Sequence, residues 1–166
     1  MRLRPQPRTL AVVTVLGAAA ALGVAHASEV WDELVPCALC LLERWPYRLV
    51  IVLGLLAAFA PPGLARLLLV VAVFALFTDA GIAAVHVGVE FHWWPSPLPE
   101  CAAPHLSGGS IAERLASMPS RPSKPCDDPS FLIPNVPISM AAMNLVFALA
   151  FAALLAILLS RSRSRR

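Results

Sequence analysis

From Ile138 to Leu159 the chain carries no charged residue, and as a helix rising ~1.5 Å per residue this run crosses roughly 30 Å of hydrocarbon. Residues 9–27 are likewise uncharged, and a third run, residues 66–88, is broken only by Arg66 at its start and by Asp79 and His86. With 58% of 166 residues hydrophobic and 14% charged, the chain has more apolar surface than one soluble domain of this length can hide. A soluble globular enzyme is excluded; the composition predicts one small all-α membrane domain spanning residues 1–166.

A fourth span needs more argument. The clean apolar run Leu49 to Ala60 covers only about 18 Å as helix, so a crossing helix must start near Leu41 and occupy residues 41–60. That start draws Glu43, Arg44 and Arg48 to the interface, sets Trp45 and Tyr47 at the depth of belt aromatics, and puts Pro46 in the first turn or two, either harmlessly or as a kink. Arg2, Arg4, Arg8, Arg66, Arg161, Arg163, Arg165 and Arg166 flank the runs on one side, free of acidic neighbours. The positive-inside rule then puts both termini in the cytoplasm and residues 28–40 and 89–137 outside. The result is a four-helix transmembrane bundle with a long external loop. Arg2, Arg4 and Arg8 before an apolar stretch ending Ala25-His26-Ala27 also fit a cleaved signal peptide, although a run of ~19 residues exceeds the usual h-region of about 7 to 15. The Arg-rich tail reads as a topological anchor, not a nucleic-acid patch.

The loop opens with Trp93, Trp94, Pro95, Pro97 and Pro99, and Pro119, Pro122, Pro125, Pro129, Pro134 and Pro137 keep its later part extended. Between them Ser110 to Glu113 forms a capping box, with Ile111, Leu115 and Met118 on one helical face. Two readings stand: a short amphipathic helix lying on the membrane, or a short helix packed on its own loop.

All four cysteines fall outside, where disulfides persist. Cys37 and Cys40 form a CxxC just before span two; a thiolate at a helix N-terminus near Arg44 is stabilised by dipole and charge, which makes such a pair redox-active. Zinc sites also use CxxC, but Cys101 and Cys126 lie far apart in sequence with no neighbouring ligand cluster, so no metal is expected. A structural disulfide between Cys101 and Cys126 competes with a relay between the two pairs. In span three, Asp79, His86 and Glu90 stack along one side. An intramembrane Asp79 needs a proton or a partner, for which Thr78 is a candidate. His86 either lines a cofactor pocket or is a histidine bonded within the bundle; His26, His92 and His105 carry no signal.

Pro36-Cys37-Ala-Leu-Cys40-Leu-Leu-Glu43-Arg44, then Trp94-Pro-Ser-Pro with Cys101, then Cys126-Asp127 followed by Ile138-Ser-Met-Ala-Ala-Met-Asn144, resemble the disulfide-bond-formation protein B family of bacterial inner membranes, over nearly the whole chain. The resemblance implies a retained first span, a periplasmic loop over residues 89–137, and a membrane oxidoreductase that reoxidises a periplasmic thioredoxin-fold dithiol oxidase (DsbA-like). It implies that the partner attacks the Cys101 to Cys126 disulfide at Cys101, that Cys126 then attacks Cys37, and that Cys40 is left as a thiolate facing a membrane quinone, ubiquinone or menaquinone. Two electrons pass to the quinone and the Cys37 to Cys40 disulfide returns. Arg44 would donate to a quinone oxygen, a task that Lys, lacking the planar fork, does less well; otherwise it bonds lipid phosphate or Glu43. Arg48, a turn further on, reads as an anchor. Two alternatives remain: a quinone reductase similar to the vitamin K epoxide reductase family, disfavoured by the early CxxC, and a non-enzymatic membrane scaffold with structural disulfides.

Overall fold

The structure, a computed structural model, describes residues 6–101, 110–116, 124–133 and 136–163. Arg2, Arg4, His105, Met118, Pro119, Pro122, Pro134, Arg165 and Arg166, and the side chains of Leu115 and Arg163, lie outside the described residues.

Helices α1 (Pro7–Trp31), α2 (Ala38–Phe59), α3 (Pro62–Glu90), α4 (Ile111–Ala116) and α5 (Met140–Arg163) follow one another, with a single 3-10 turn at Pro99–Cys101. No strand occurs among the described residues, only isolated bridges from Cys37 to Lys124 and from Phe131 to Ser139. Prolines start α1 and α3 at a position whose N–H would lack an intrahelical partner anyway. Ser139 caps α5, its Oγ accepting from the Ala142 N–H at 3.2 Å. The capping box of α4 is formed in both directions, Glu113 N–H to Ser110 Oγ at 3.2 Å and Ser110 N–H to Glu113 Oε2 at 3.1 Å.

Helix α2 begins at Ala38, three residues earlier than the expected start, because the Cys37 sulfur caps it by accepting from the Cys40 N–H. Pro46 therefore lies inside the helix rather than in its opening turns, where it leaves the Leu42 carbonyl without its usual N–H donor.

α2 packs on α1 and on α3, and α3 packs on α5, with lighter contacts from α1 to α3 and α5. Their shared interior combines Leu10, Val50, Leu69, Leu76 and Leu155 with alanines such as Ala11, Ala57, Ala72 and Ala152, all nearly inaccessible. Small residues let the backbones approach closely; a Cβ on Gly54 would come within 2.7 Å of the Val15 side chain. Outward, Leu16, Phe59, Leu67, Phe74 and Val146 are exposed, so the outer faces of the long helices are apolar too. α1, α3 and α5 are each long and apolar enough to cross a membrane, whereas α2 carries Glu43, Arg44 and Arg48 in its first half.

Candidate functional site

The end of the helix assembly where α2 starts and α3 stops gathers the polar chemistry. Cys37 Sγ accepts the Cys40 N–H at 3.3 Å and lies 2.9 Å from Cys40 Sγ, both being free thiols. The Cys40 thiol beside it lowers the pKa of Cys37 below the ordinary thiol value; burial opposes this and the Cys40 N–H reinforces it.

Cys101 and Cys126 form a disulfide, joined also by a hydrogen bond from the Cys126 N–H to the Cys101 carbonyl at 3.3 Å. This disulfide packs directly into one apolar cluster with Cys37, Leu39 and Val89. Residue Lys124 pairs with Cys37 through the backbone, while its Nζ donates to the Pro129 carbonyl at 3.2 Å and to Ser130 Oγ at 3.0 Å. The Met140 N–H in turn donates to the Ser130 carbonyl at 2.8 Å, which ties the segment around Cys126 to the start of α5. On the other approach, Trp94 folds back over Gly88, its Nε1–H donating to the Val85 carbonyl at 3.1 Å.

Behind Cys37 runs a chain of buried polar groups. His86 Nε2 is 3.4 Å from Cys37 Sγ, and His86 Nδ1 is 2.7 Å from Glu43 Oε1. Asn144 Nδ2 donates to Glu43 Oε2 at 2.9 Å and to Asp79 Oδ2 at 3.2 Å, and Asn144 Oδ1 accepts from the Tyr47 hydroxyl at 2.7 Å. Asp79 is fully buried and its Oδ1 has no hydrogen-bond partner. The partner of Asp79 is thus Asn144 on α5, not Thr78, whose hydroxyl donates to the Phe74 carbonyl. Tyr47 points inward at 3% exposure while Trp45 stays at the surface at 63%; of the two expected belt aromatics, only Trp45 has that position. The polar side of α3 divides, Asp79 and His86 converging on Glu43 and Asn144, and Glu90 meeting Ser139 Oγ.

Arg44 is buried and ion-paired with Glu29 of α1 rather than with Glu43. Cys40, Glu43, Arg44 and Tyr47 recur at helical spacing along one face of α2, and together with Asn144, Phe147 and apolar residues of α1 and α5 they line a cleft of about 280 Å³. A separate groove of about 550 Å³ outside α2 and α3 is lined by Trp45, Arg48, Thr78 and Ile82 and holds no thiol. Arg48 there lies over the Trp45 ring at 5.1 Å, as suits an interfacial anchor.

Sequence reasoning singled out the thiols, Arg44 and His86, which the structure brings to one end of the helix assembly, but not Glu29 or the contacts of Glu43, Tyr47 and Asn144. The i, i+3, i+4, i+7 spacing from Cys40 was a usable signal for Glu43 and Tyr47; nothing local marked Glu29.

Apolar helices long enough to cross a bilayer, carrying a dithiol and a disulfide gathered at one buried cluster, define a membrane protein with two neighbouring cysteine pairs. The model of the family "Disulfide bond formation protein DsbB" matches residues 7–158, and the chain belongs to that family. Disulfide-bond formation by a membrane protein, a disulfide oxidoreductase activity, comes with this membership. No curated protein and no solved structure matches the chain.

Proposed function

We propose that this chain reoxidises a DsbA-like periplasmic thioredoxin-fold protein and passes the electrons to a membrane quinone. The observation that carries this reading is the position of the CxxC between two neighbours: Cys37 shares one buried cluster with the Cys101–Cys126 disulfide, and Cys40 opens onto the cleft.

In the proposed sequence, a thiolate of the reduced partner attacks Cys101, forming a mixed disulfide and releasing Cys126 as thiolate. Cys126 attacks Cys37 and expels Cys40. The partner's second thiol then displaces Cys101, which attacks Cys126, restores the loop disulfide and leaves Cys37 and Cys40 reduced. One disulfide has moved outward and two electrons inward.

The cleft suits a quinone by its chemistry: apolar walls for a flat ring and tail, with Arg44, Glu43, Tyr47 and Asn144 as polar groups along one side. When bound, a quinone supplies a two-electron, two-proton acceptor. The role of Arg44 is to present a guanidinium whose orientation Glu29 fixes, stabilising negative charge that develops on an oxygen in the cleft. His86 is placed to take the Cys37 proton as the disulfide closes, and Glu43 to hold the imidazole and balance its charge. Residues 1–166 act as a single domain in the bacterial inner membrane, α2 serving as a fourth span, with cytoplasmic termini and periplasmic cysteines.

The test is an anaerobic assay of the purified protein with reduced partner and defined quinones, comparing the four single Cys→Ser variants and Arg44→Lys. Quinone-dependent partner oxidation, lost in every cysteine variant and requiring at least 10-fold more quinone in Arg44→Lys, is expected. Oxidation indifferent to quinone refutes the reading.

A further inference from the structure

The dithiol does not stand alone: Cys37, Cys40 and His86 bring three ligand atoms within 4.8 Å of one another. We propose that the reduced CxxC and His86 form a binding site for a thiophilic divalent cation, zinc or cadmium, which exists only in the dithiol state. The proposal rests on the reading that this pair cycles between dithiol and disulfide.

Three features of the site argue for a metal rather than for a chance cluster. The first is geometry. Zinc with bonds of ~2.3 Å to sulfur and ~2.0 Å to imidazole nitrogen sets its S and N ligands roughly 3.5 Å apart, and Cys37 Sγ lies 3.4 Å from His86 Nε2. The sulfurs, 2.9 Å apart, must open to roughly 3.8 Å for tetrahedral coordination; Cys40, half-buried at the cleft, has room for that rotation. The second is orientation. Metal-bound histidines characteristically give their other ring nitrogen to a carboxylate, and Glu43 Oε1 lies 2.7 Å from His86 Nδ1, leaving Nε2 toward the sulfurs. The third is charge. Two thiolates and a divalent cation sum to zero, which suits a site where Cys37 and His86 are both buried. A fourth position stays open to water from the cleft.

Binding exchanges two thiol protons for one cation, so the metal enters as two protons leave and no electron moves. Disulfide formation consumes both ligands. Metal and disulfide therefore exclude each other, and the cation arrests the protein with its CxxC reduced. Sequence spacing alone gave no third ligand, since His86 lies 49 positions from Cys37.

The test uses the full chain in detergent, carrying Cys101→Ser and Cys126→Ser so that Cys37 and Cys40 are the only thiols, reduced and freed of reductant and quinone under anaerobic conditions. Cadmium titration followed by sulfur-to-metal ultraviolet absorption should saturate at one ion per chain with two protons released. Oxidation with diamide should abolish it. Glu43→Gln should weaken affinity about 10-fold, and His86→Ala more. Zinc X-ray absorption on this same protein, unaltered at His86, should find two sulfurs and one imidazole, which keeps the proposal testable should His86→Ala not fold. Binding that survives oxidation, an absorption spectrum lacking imidazole, or no binding overturns it. Partner oxidation by the wild-type protein reads the relay separately, so a failure of the metal site is distinguishable from a failure of the relay.

Discussion

His86 Nε2 on α3 lies 3.4 Å from Cys37 Sγ at the start of α2, across the contact between these two helices. An imidazole is thereby placed against a sulfur that shares one buried cluster with the Cys101–Cys126 disulfide. In the proposed function electrons and protons leaving Cys37 take different directions, electrons through Cys40 toward the cleft and protons through His86 toward Glu43.

Glu43→Gln keeps the shape of the side chain and removes its charge. His86 then loses the group that orients Nδ1 and balances an imidazolium. Reoxidation of the Cys37–Cys40 dithiol should slow about 10²-fold, while attack of the partner on Cys101 is unaffected. Stopped-flow reoxidation with quinone measures the first, and trapping of the mixed disulfide the second.

The lowered pKa of Cys37 comes first from its contact with the Cys40 thiol. A depressed thiol pKa means that the thiolate persists to lower pH than in an ordinary cysteine. The stability that this thiolate lends the reduced protein is present above the ordinary thiol pKa and is lost as pH falls through the lowered one. Alkylation of Cys37 by iodoacetamide should therefore stay fast to lower pH than in Cys40→Ala, whose profile moves upward toward that of a free cysteine.

Gly88 sits under Trp94, where an added Cβ would come within 1.9 Å of the indole Cζ2. Gly88→Ala should expel the ring, break its bond to the Val85 carbonyl and misplace the segment leading to Cys101. A loss of about 1–3 kcal/mol in stability, red-shifted tryptophan emission and slower partner oxidation are expected. Fluorescence and thermal unfolding in detergent check this.

Tyr47→Phe deletes one bond to Asn144 and should cost about 1 kcal/mol. Asn144→Ala strips partners from Glu43, Asp79 and Tyr47 at once, so its loss of thermal stability should exceed that of Tyr47→Phe several-fold. Equal melting shifts would mean that the amide does not join these groups.

Much of this arrangement was legible because it is written in local pattern. Long apolar runs gave α1, α3 and α5; Ser110 and Glu113, three apart, gave the box of α4; the need for length extended α2 upstream of Leu49. What escaped depends on partners distant in sequence. Trp45 and Tyr47 are two residues apart on opposite sides of one helix, and only packing against α5 decides that Tyr47 faces inward. Asp79 finds Asn144 65 positions away, and Arg44 finds Glu29 across the α1–α2 contact. The start of α2 was misjudged because sulfur, a weak acceptor, is an unusual helix cap.

The most direct test of the account removes Cys40 and Cys101 together, as Cys40→Ser with Cys101→Ser, and maps the remaining thiols by mass spectrometry of non-reduced peptides. A disulfide linking Cys37 to Cys126 is predicted, since in the proposed relay these are the two sulfurs that pass electrons between the pairs. Recovery of both as free thiols after mild oxidation would contradict it.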